Sequence, residues 1–189
     1  MDKISSALVK IEKALDKKIC KNLSEHIEIS PLNKATLLKD GKDIEDTKQR
    51  NVYSYGLNEK NEHDVLYKKL IFNTCSAAIK KYQKMFPSLH QELKLESINL
   101  LKYVEGNFYK KHTDAFHKVN RQLSFIINLN EDYKGGDLIF YFPNDPQFAY
   151  SKVELKTGDL IMFPSNFMYP HSIQPIISGT RYSVVCWFS

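Results

Sequence analysis

This sequence predicts an α+β protein, mainly β, in which N-terminal helices brace a sandwich or jelly roll. Apolar residues at helical spacing are confined to the chain before residue 94. Short β-rich runs follow, separated by turn residues such as Gly135-Gly136 and Thr157-Gly158-Asp159. Many short strands with regular turns favour a sandwich or jelly roll over an alternating α/β sheet. Helices that precede such strands are expected to pack against the outside of the barrel.

The helical part contains two amphipathic stretches. Apolar residues recur every three or four positions through residues 2–28, and again from Asp64 to Phe86. Ser30-Pro31 ends the first stretch, because a residue before proline avoids the helical conformation. Residues 32–60 are polar and rich in turn residues, and they predict a loop with one supporting strand near Val52–Leu57.

The β-rich part predicts strands over Leu95–Val104, Leu123–Leu129, Asp137–Phe142, Lys152–Leu155, Asp159–Phe163, Ser172–Ile176 and Arg181–Phe188. A chain of 189 residues suits one domain with one sizeable core. We therefore expect a single domain over residues 1–189, in which residues 1–94 are mostly helical support and residues 95–189 form the β core.

Composition is that of an ordinary globular protein, with 42% hydrophobic and 26% charged residues. The net charge of +5 comes from scattered lysines, which favours a solvated surface over a dedicated acidic partner. No apolar run approaches the length of a membrane helix, and the N-terminus does not resemble a signal peptide. Cys20, Cys75 and Cys186 are odd in number and form no C-x-x-C motif. We therefore expect no disulfide, no membrane association and a cytoplasmic location.

The candidate chemistry is concentrated in three short segments. His112 and Asp114 are two residues apart, so in an extended strand their side chains point to the same face. His171, in a Y-P-H-S segment, is the candidate third ligand. Two histidines and one carboxylate form the facial triad that leaves positions open on non-haem Fe(II). Arg181 follows ten residues later and is suited to bind an acid.

The remaining histidines carry no such pattern. His26, His63, His90 and His117 have no partner at ligand spacing, and we interpret each as a surface or structural residue. His117 lies in the loop after the H-x-D motif, where contact with a substrate is an open alternative.

The second half of the chain resembles the Fe(II)/2-oxoglutarate dioxygenase superfamily, and within it the prolyl 4-hydroxylase type. The matching segments are Y-x-x-G-x-x-Y-x-x-H-x-D at 103–114, R-x-L-S-F-x-x-x-L-N at 121–130, G-G-D-L-x-F at 135–140, T-G-D-L-I-M-F-P at 157–164, P-H-S-I-Q-P at 170–175 and G-T-R-Y-S-V-V-C-W at 179–187. The resemblance implies a double-stranded β-helix. It also implies that His112, Asp114 and His171 bind Fe(II), with 2-oxoglutarate and O2 as cosubstrates and ascorbate as a candidate reductant.

The resemblance also implies roles around the cosubstrate. Arg181 would pair with the distal carboxylate of 2-oxoglutarate, and Ser183, on the same strand face, would add a hydroxyl donor. Trp187 would form a wall of the pocket. Tyr103 and Asn128 are candidate second contacts, with ordinary interior residues as the equal alternative. Cys186 alternates to the opposite face and is interpreted as a core residue.

The expected reaction is hydroxylation of an unactivated C–H bond, with a prolyl residue of a peptide or protein as the substrate. A free amino acid or other small molecule is an alternative, as is a metal-binding or ligand-binding jelly roll without turnover. A nucleic-acid demethylase is disfavoured, because such relatives carry a second arginine six residues after the first, where this chain has Trp187. The loops at 115–120 and 141–152, the latter with Pro143, Pro146, Phe148 and Tyr150, are expected to flank the mouth of the site.

Collagen-type prolyl 4-hydroxylases carry lysine where this chain has Arg181, whereas the oxygen-sensing prolyl hydroxylases carry arginine. The resemblance therefore supports 2-oxoglutarate binding more firmly than any one branch of substrates.

Overall fold

Two antiparallel sheets, with helices beside the larger one, make up the part of the chain that is described. A computed structural model describes residues 4–39, 42–89, 91–115 and 119–189. His90, Phe116 and His117, which entered the sequence predictions, lie outside these residues. The expectation of a mainly β α+β jelly roll braced by helices is confirmed.

The larger sheet has seven strands within the described residues. Their spatial order is β1 (Val9–Ile11), β13 (Leu160–Pro164), β9 (Leu123–Asn128), β16 (Arg181–Phe188), β7 (Leu95–Tyr103), β6 (Tyr53–Gly56) and β2 (Asn33–Lys34). All of their pairings are antiparallel. Strands from both halves of the chain therefore build this sheet.

The smaller sheet has five strands within the same residues, and it carries two of the predicted metal ligands. Its order is β12 (Ala149–Val153), β11 (Leu138–Tyr141), β14 (His171–Ile173), β8 (Phe108–His112) and β5 (Arg50–Asn51). Two further pairs are β3 (Leu37–Lys39) with β4 (Lys42–Ile44), and β10 (Tyr133–Gly135) with β15 (Ile176–Gly179).

Helix α1 spans Lys17–Ile29 and helix α2 spans Glu62–Met85. The Asp16 carboxylate accepts a hydrogen bond from the backbone N–H of Lys18, which caps α1. Ser30 is extended and ends α1 directly before a proline, as expected. Neither helix combines the length and apolar character that a membrane-spanning helix needs, within the residues described.

The prediction of one helix through residues 2–28 is wrong for the first part of that range. Ser5–Ala7 form a single 3-10 turn, and β1 pairs with β13 at the edge of the larger sheet. The backbone N–H of Lys13 donates to the Asp159 carboxylate, and the N–H of Leu15 donates to the Gly158 carbonyl. These long-range bonds outweigh a local helical preference, which is a weak energetic bias.

The strand predictions are confirmed for the central strands and need correction elsewhere. The predicted strand Ser172–Ile176 is two strands, because Pro175 lacks an N–H and the chain turns there to pair with β10. Strand β12 begins three residues before its predicted start, at Ala149. The described part of residues 32–60 contains five short strands rather than one. Of these, β2 and β6 join the larger sheet, β5 joins the smaller sheet, and β3 and β4 pair with each other.

Two apolar cores lie on opposite faces of the larger sheet, because side chains alternate along its strands. The outer core contains Leu100, Ile127 and Cys186, packed with buried residues of α1 and α2. The inner core lies between the sheets, and its members include Leu101, Ile126, Phe140, Phe163, Ile173 and Trp187. The three cysteines are free and buried, and Cys186 faces the outer core, as predicted.

Candidate active site

The two candidate histidine ligands meet across neighbouring strands. His112 is the last residue of β8, His171 is the first residue of β14, and the two are direct partners in the antiparallel pairing. Asp114 lies two residues beyond His112, just after β8 ends. The strand pairing therefore brings together three residues that are separated by up to 59 positions in the sequence, from 112 to 171.

The ligand atoms of these three residues converge on one point. The Nε2 atom of His112 is 3.6 Å from one Asp114 carboxylate oxygen, and the Nε2 atom of His171 is 3.7 Å from the other. One ligand atom from each residue can be chosen so that all lie within 4.8 Å of one another. This spacing suits a single ion that contacts all three side chains.

The hydrogen bonds of the imidazoles leave their Nε2 atoms free to bind a metal. The Nδ1 atoms of His112 and His171 lie 2.8 and 3.0 Å from the backbone oxygens of Lys110 and Tyr169. A carbonyl oxygen only accepts, so each Nδ1 carries the proton. Each neutral ring then presents the Nε2 lone pair to the centre of the site, as metal-binding histidines do.

The protonation states also suit a cation. Burial alone would raise the pKa of Asp114, but the charges of His171 and His112 and the hydrogen bond from Ser124 hold that pKa far below its usual range. Burial, and next the charge of His112, lower the pKa of His171 to about 4. At neutral pH the site therefore presents an anionic carboxylate and a neutral His171, which is the donor set that Fe(II) takes in a facial triad.

Aromatic rings hold the histidines in place. The ring of Tyr109 stacks on that of His112, with centroids 3.4 Å apart, and the rings of Phe140 and Phe163 contact His171 at 5.5 and 4.9 Å. Tyr109 therefore packs against one of the candidate ligand rings. Packed ligands keep their positions without the metal, which preorganises the site.

Arg181 is a buried cation in need of a partner. Its side chain is 2% exposed, its Nε atom has no hydrogen-bond partner, and its NH1 group donates only a long 3.4 Å bond to the Ser183 hydroxyl, counting the described residues alone. The guanidinium carbon lies 5.3 Å from the centre of the Tyr103 ring. An unpaired charge at such depth is costly, so this position favours an anionic ligand.

The predicted neighbours of Arg181 divide into two groups. Tyr103, Ser183 and Trp187 line a narrow inner cavity together with Arg181 and the triad. Asn128 is not among its lining residues. The Asn128 amide instead donates to the backbone oxygens of Asn130 and Leu155, at 2.6 and 3.1 Å, and accepts from the Tyr133 hydroxyl. These contacts are typical of an ordinary interior residue, which was the alternative role for Asn128.

A larger cavity of about 570 Å³ opens on the other side of the triad. Both cavities are lined by Arg50, Tyr109, His112, Asp114 and Trp187, so a ligand in one adjoins a ligand in the other. The guanidinium of Arg121 lies 3.9 Å from the centre of the Trp187 ring and pairs with Glu96 at the cavity wall. The triad therefore lies between a narrow inner cavity, which contains the buried Arg181, and a larger outer cavity.

The walls of the outer cavity differ from the sequence-based expectation. Residues 35–37, 43–44, 46 and 49–50 supply one side of it, although the N-terminal half was expected to be only support. Of the loop at 115–120, Val119 lines this cavity. The loop at 141–152 does not contribute to it, and Phe148 is instead 63% exposed. The short strand β5, which pairs with β8, explains why Arg50 reaches the site.

Sequence reasoning also missed the polar residues that support Asp114. The Ser124 hydroxyl donates to its carboxylate at 2.6 Å, and Ser124 contacts the Ser165 hydroxyl at 2.8 Å. Ser124 lies within the R-x-L-S-F segment, which was the available signal. His26 and His63 lie away from the triad, and His26 forms a buried contact with Asp64, in agreement with their structural interpretation.

Comparisons with known proteins agree with this geometry. Residues 98–189 match the family model described as the 2OG-Fe(II) oxygenase superfamily. A PKHD-type hydroxylase of Prochlorococcus marinus is 38% identical over 90 residues, which are 46% of this chain and 38% of that protein. Human prolyl 3-hydroxylase 2 is 27% identical over 159 residues, which are 84% of this chain and 21% of that protein. The chain thus spans well under half the length of these curated relatives.

A solved structure supports the fold. The prolyl hydroxylase from Trichoplax adhaerens, in complex with a peptide fragment of the hypoxia inducible factor oxygen degradation domain, superposes with a TM-score of 0.79. The match covers 96% of this chain and 83% of that one at 15% identity.

Proposed function

We propose that this chain, whose residues 98–189 match the model of the 2OG-Fe(II) oxygenase superfamily, hydroxylates a prolyl residue of a peptide or protein, using Fe(II), 2-oxoglutarate and O2. The observation that carries the proposal is the convergence of His112, Asp114 and His171 beside the unpaired, buried Arg181. Iron and 2-oxoglutarate bound there supply the oxidation, in which O2 places one oxygen atom in succinate and one in the new hydroxyl, with loss of CO2.

The residues of this chain bind and orient the reactants. His112, Asp114 and His171 would hold Fe(II) as a facial triad, a ligand set that leaves positions open for the cosubstrates. Arg181 neutralises the distal carboxylate of 2-oxoglutarate, and the Ser183 hydroxyl adds a donor beside it. Burial raises the pKa of the Tyr103 phenol, so this group stays protonated and is available as a further donor. The apolar residues Leu101, Ile126 and Val185 exclude water from the inner cavity.

A peptide substrate is supported by the outer cavity and by the relatives. The cavity of about 570 Å³ is open to solvent and adjoins the triad, so a segment of chain can lie in it with one carbon close to the metal. Two of the similar proteins are named prolyl hydroxylases, and one was solved with a peptide. A proline ring presents an unactivated C–H bond and needs no acid–base group for its oxidation.

The first experiment tests the metal and cosubstrate sites. Fe(II) is added anaerobically and then 2-oxoglutarate, and the visible charge-transfer band of the chelate is followed. We expect the band in the wild-type protein and in His63→Ala, an exposed histidine outside both cavities, and no band in His112→Ala. A wild-type protein without the band contradicts the proposal.

The second experiment tests the substrate. Proline-rich peptides, proteins of a cell extract, free proline and methylated oligonucleotides are offered separately, and succinate release is measured together with the mass of each substrate. A gain of one oxygen on prolyl residues supports the proposal, and fragmentation of the product locates the hydroxyl at ring position 3 or 4. Oxidation of free proline alone, or loss of methyl groups from the oligonucleotide with every peptide unchanged, contradicts it.

A further inference from the structure

Two buried serines form a chain of hydroxyl groups that ends on Asp114. The Oδ2 atom of Asp114 is 2.6 Å from the Ser124 hydroxyl oxygen, which is 2.8 Å from that of Ser165. Ser124 belongs to β9, and Ser165 follows directly after the neighbouring strand β13. Both serines are fully buried, and neither lines the cavities beside the triad.

The hydrogen bonds between these two hydroxyl groups and the carboxylate can run in one direction only. An ionised carboxylate only accepts hydrogen bonds, so the single O–H group of Ser124 donates to Asp114. The Ser124 oxygen then accepts from the O–H of Ser165. Each bond polarises the next, and the bond that reaches the carboxylate is strengthened by the charge of its acceptor.

Asp114 needs such support because it lies beyond the end of β8. Its backbone bends at this residue and is in no strand pairing with the described residues. The N–H of Ala115 donates to the carbonyl of Ser165 at 2.8 Å, and the guanidinium of Arg121 donates to the carbonyl of Asp114 at 3.3 Å. Ser165 therefore acts at two places, on the backbone after Asp114 and, through Ser124, on the carboxylate.

We propose that Ser165 and Ser124 form a positioning relay that makes Asp114 a ligand through one oxygen only. The bond from Ser124 takes one lone pair of Oδ2 and fixes the rotation of the carboxylate, in which Oδ1 lies 3.6 Å from the Nε2 atom of His112 and Oδ2 lies 3.7 Å from that of His171. A carboxylate free of the relay can rotate and offer both oxygens, which takes a coordination position that the cosubstrates need. This inference rests on the proposed function, since it requires that the triad binds a metal.

The test measures metal binding without turnover. Co(II) is titrated into the metal-free protein in the absence of 2-oxoglutarate, and its visible absorption bands report both affinity and coordination. We expect Ser124→Ala to raise the Kd about 10–100-fold, the usual effect of removing a partner of a metal ligand, and to change the spectrum. Ser165→Ala is expected to raise it less, and Ser124→Thr, which keeps the hydroxyl, to stay close to wild type.

The matched control is Ser172→Ala. Ser172 is also buried and adjoins His171, but its hydroxyl contacts Tyr141 and Gln174 instead of Asp114. Unchanged affinity in this variant, with unchanged melting temperatures of the metal-free proteins, supports positioning over a general loss of stability. If Ser124→Ala does not fold, the comparison of Ser165→Ala with Ser172→Ala decides.

Two results have different meanings. A wild-type protein that binds no Co(II) contradicts the proposed function itself. A wild-type protein that binds Co(II) together with serine variants that match its affinity and spectrum leaves the metal site in place and overturns the relay, as does an equal loss of affinity in Ser172→Ala.

Discussion

The two sides of the larger sheet differ in how completely their buried polar groups are hydrogen-bonded. On the outer face, beneath the helices, the Asp64 carboxylate accepts hydrogen bonds from the Tyr55 hydroxyl and from the Asn58 backbone and amide, and it contacts the Nε2 atom of His26 at 2.6 Å. On the inner side, between the two sheets, four atoms are buried without a partner among the described residues: Arg50 Nε, the Tyr150 hydroxyl oxygen, Arg181 Nε and Trp187 Nε1.

The difference separates stability from binding. A buried polar group that is fully hydrogen-bonded ties α1, β6 and α2 together, and breaking one of its bonds costs folding free energy. A buried donor without a partner is itself a cost in the free protein, which a ligand removes on binding. Unpaired donors beside a candidate metal-ligand cluster therefore mark the face on which the proposed chemistry takes place.

The largest effect expected on the inner face is the loss of the metal. Replacing His112 or Asp114 by alanine leaves two ligands, which hold Fe(II) poorly and lose the open-site geometry. We expect no 2-oxoglutarate-dependent succinate release from either variant, while their melting temperatures show that the fold remains. Succinate formed at the wild-type rate by His112→Ala contradicts the assignment of the triad.

Arg181 is expected to give the next largest effect, and it should act on cosubstrate affinity more than on chemistry. A charge-assisted bidentate contact in a desolvated pocket contributes about 2–4 kcal/mol. Arg181→Ala should therefore raise the KM for 2-oxoglutarate by tens to hundreds of fold, and Arg181→Lys by less, in steady-state assays of succinate release. An unchanged KM in Arg181→Ala places the anchor elsewhere, with Tyr103 as the next candidate.

On the outer face, Asp64→Asn should reduce stability without changing the chemistry. The substitution removes the charge that Tyr55, Asn58 and His26 surround, and we expect a loss of about 2–4 kcal/mol in the free energy of unfolding. Urea denaturation of the metal-free proteins measures it. The control is Glu25→Gln, an exposed carboxylate on α1, which should change the free energy by less than about 1 kcal/mol. A loss of 2-oxoglutarate affinity in Asp64→Asn, with stability unchanged, contradicts this division of roles.

The smallest expected effect is on how the free energy of unfolding depends on pH in the acid range. Burial alone would raise the pKa of Asp64, but its hydrogen bonds from Tyr55 and Asn58 and its contact with His26 lower that pKa below the ordinary value of 3.8. The charged carboxylate stabilises the fold fully above that value, and the contribution is lost as the pH falls through the lowered pKa. Between about pH 6 and pH 3 the free energy of unfolding should therefore fall less steeply with decreasing pH in Asp64→Asn than in wild type. Identical slopes contradict the lowered pKa.

Local sequence patterns were sufficient for several features because the relevant geometry is local. Helix α2 agrees with its apolar periodicity, and β16 agrees with its predicted bounds. Alternation along β16 places Arg181, Ser183 and Trp187 on one face and Cys186 on the other, as a period of two requires. The short H-x-D spacing likewise brings His112 and Asp114 together without reference to any other strand.

The pairing of strands from distant parts of the sequence determined the features that local patterns did not predict. The apolar spacing of residues 4–11 suits a helix, yet β13 offers β1 backbone hydrogen bonds and an edge position. The cross-strand pairing of β8 with β14 sets His171 opposite His112, and the pairing of β5 with β8 brings Arg50 to the same site. The partners of Asn128 were equally hidden in the sequence.

The sequence by itself determined the mainly β class and predicted the candidate metal ligands and the candidate cosubstrate anchor, since these follow from residue chemistry and short periodicities. Only the tertiary structure decided how Asp114 is held and which segments form the outer cavity. The Ser124 hydroxyl reaches Asp114 from β9 and is itself contacted by Ser165, which follows β13. Residues 35–37, 43–44, 46 and 49–50 reach the cavity from the first half of the chain. Such contacts depend on register and sheet order, which arise from the summed free energy of many long-range pairings rather than from any short pattern.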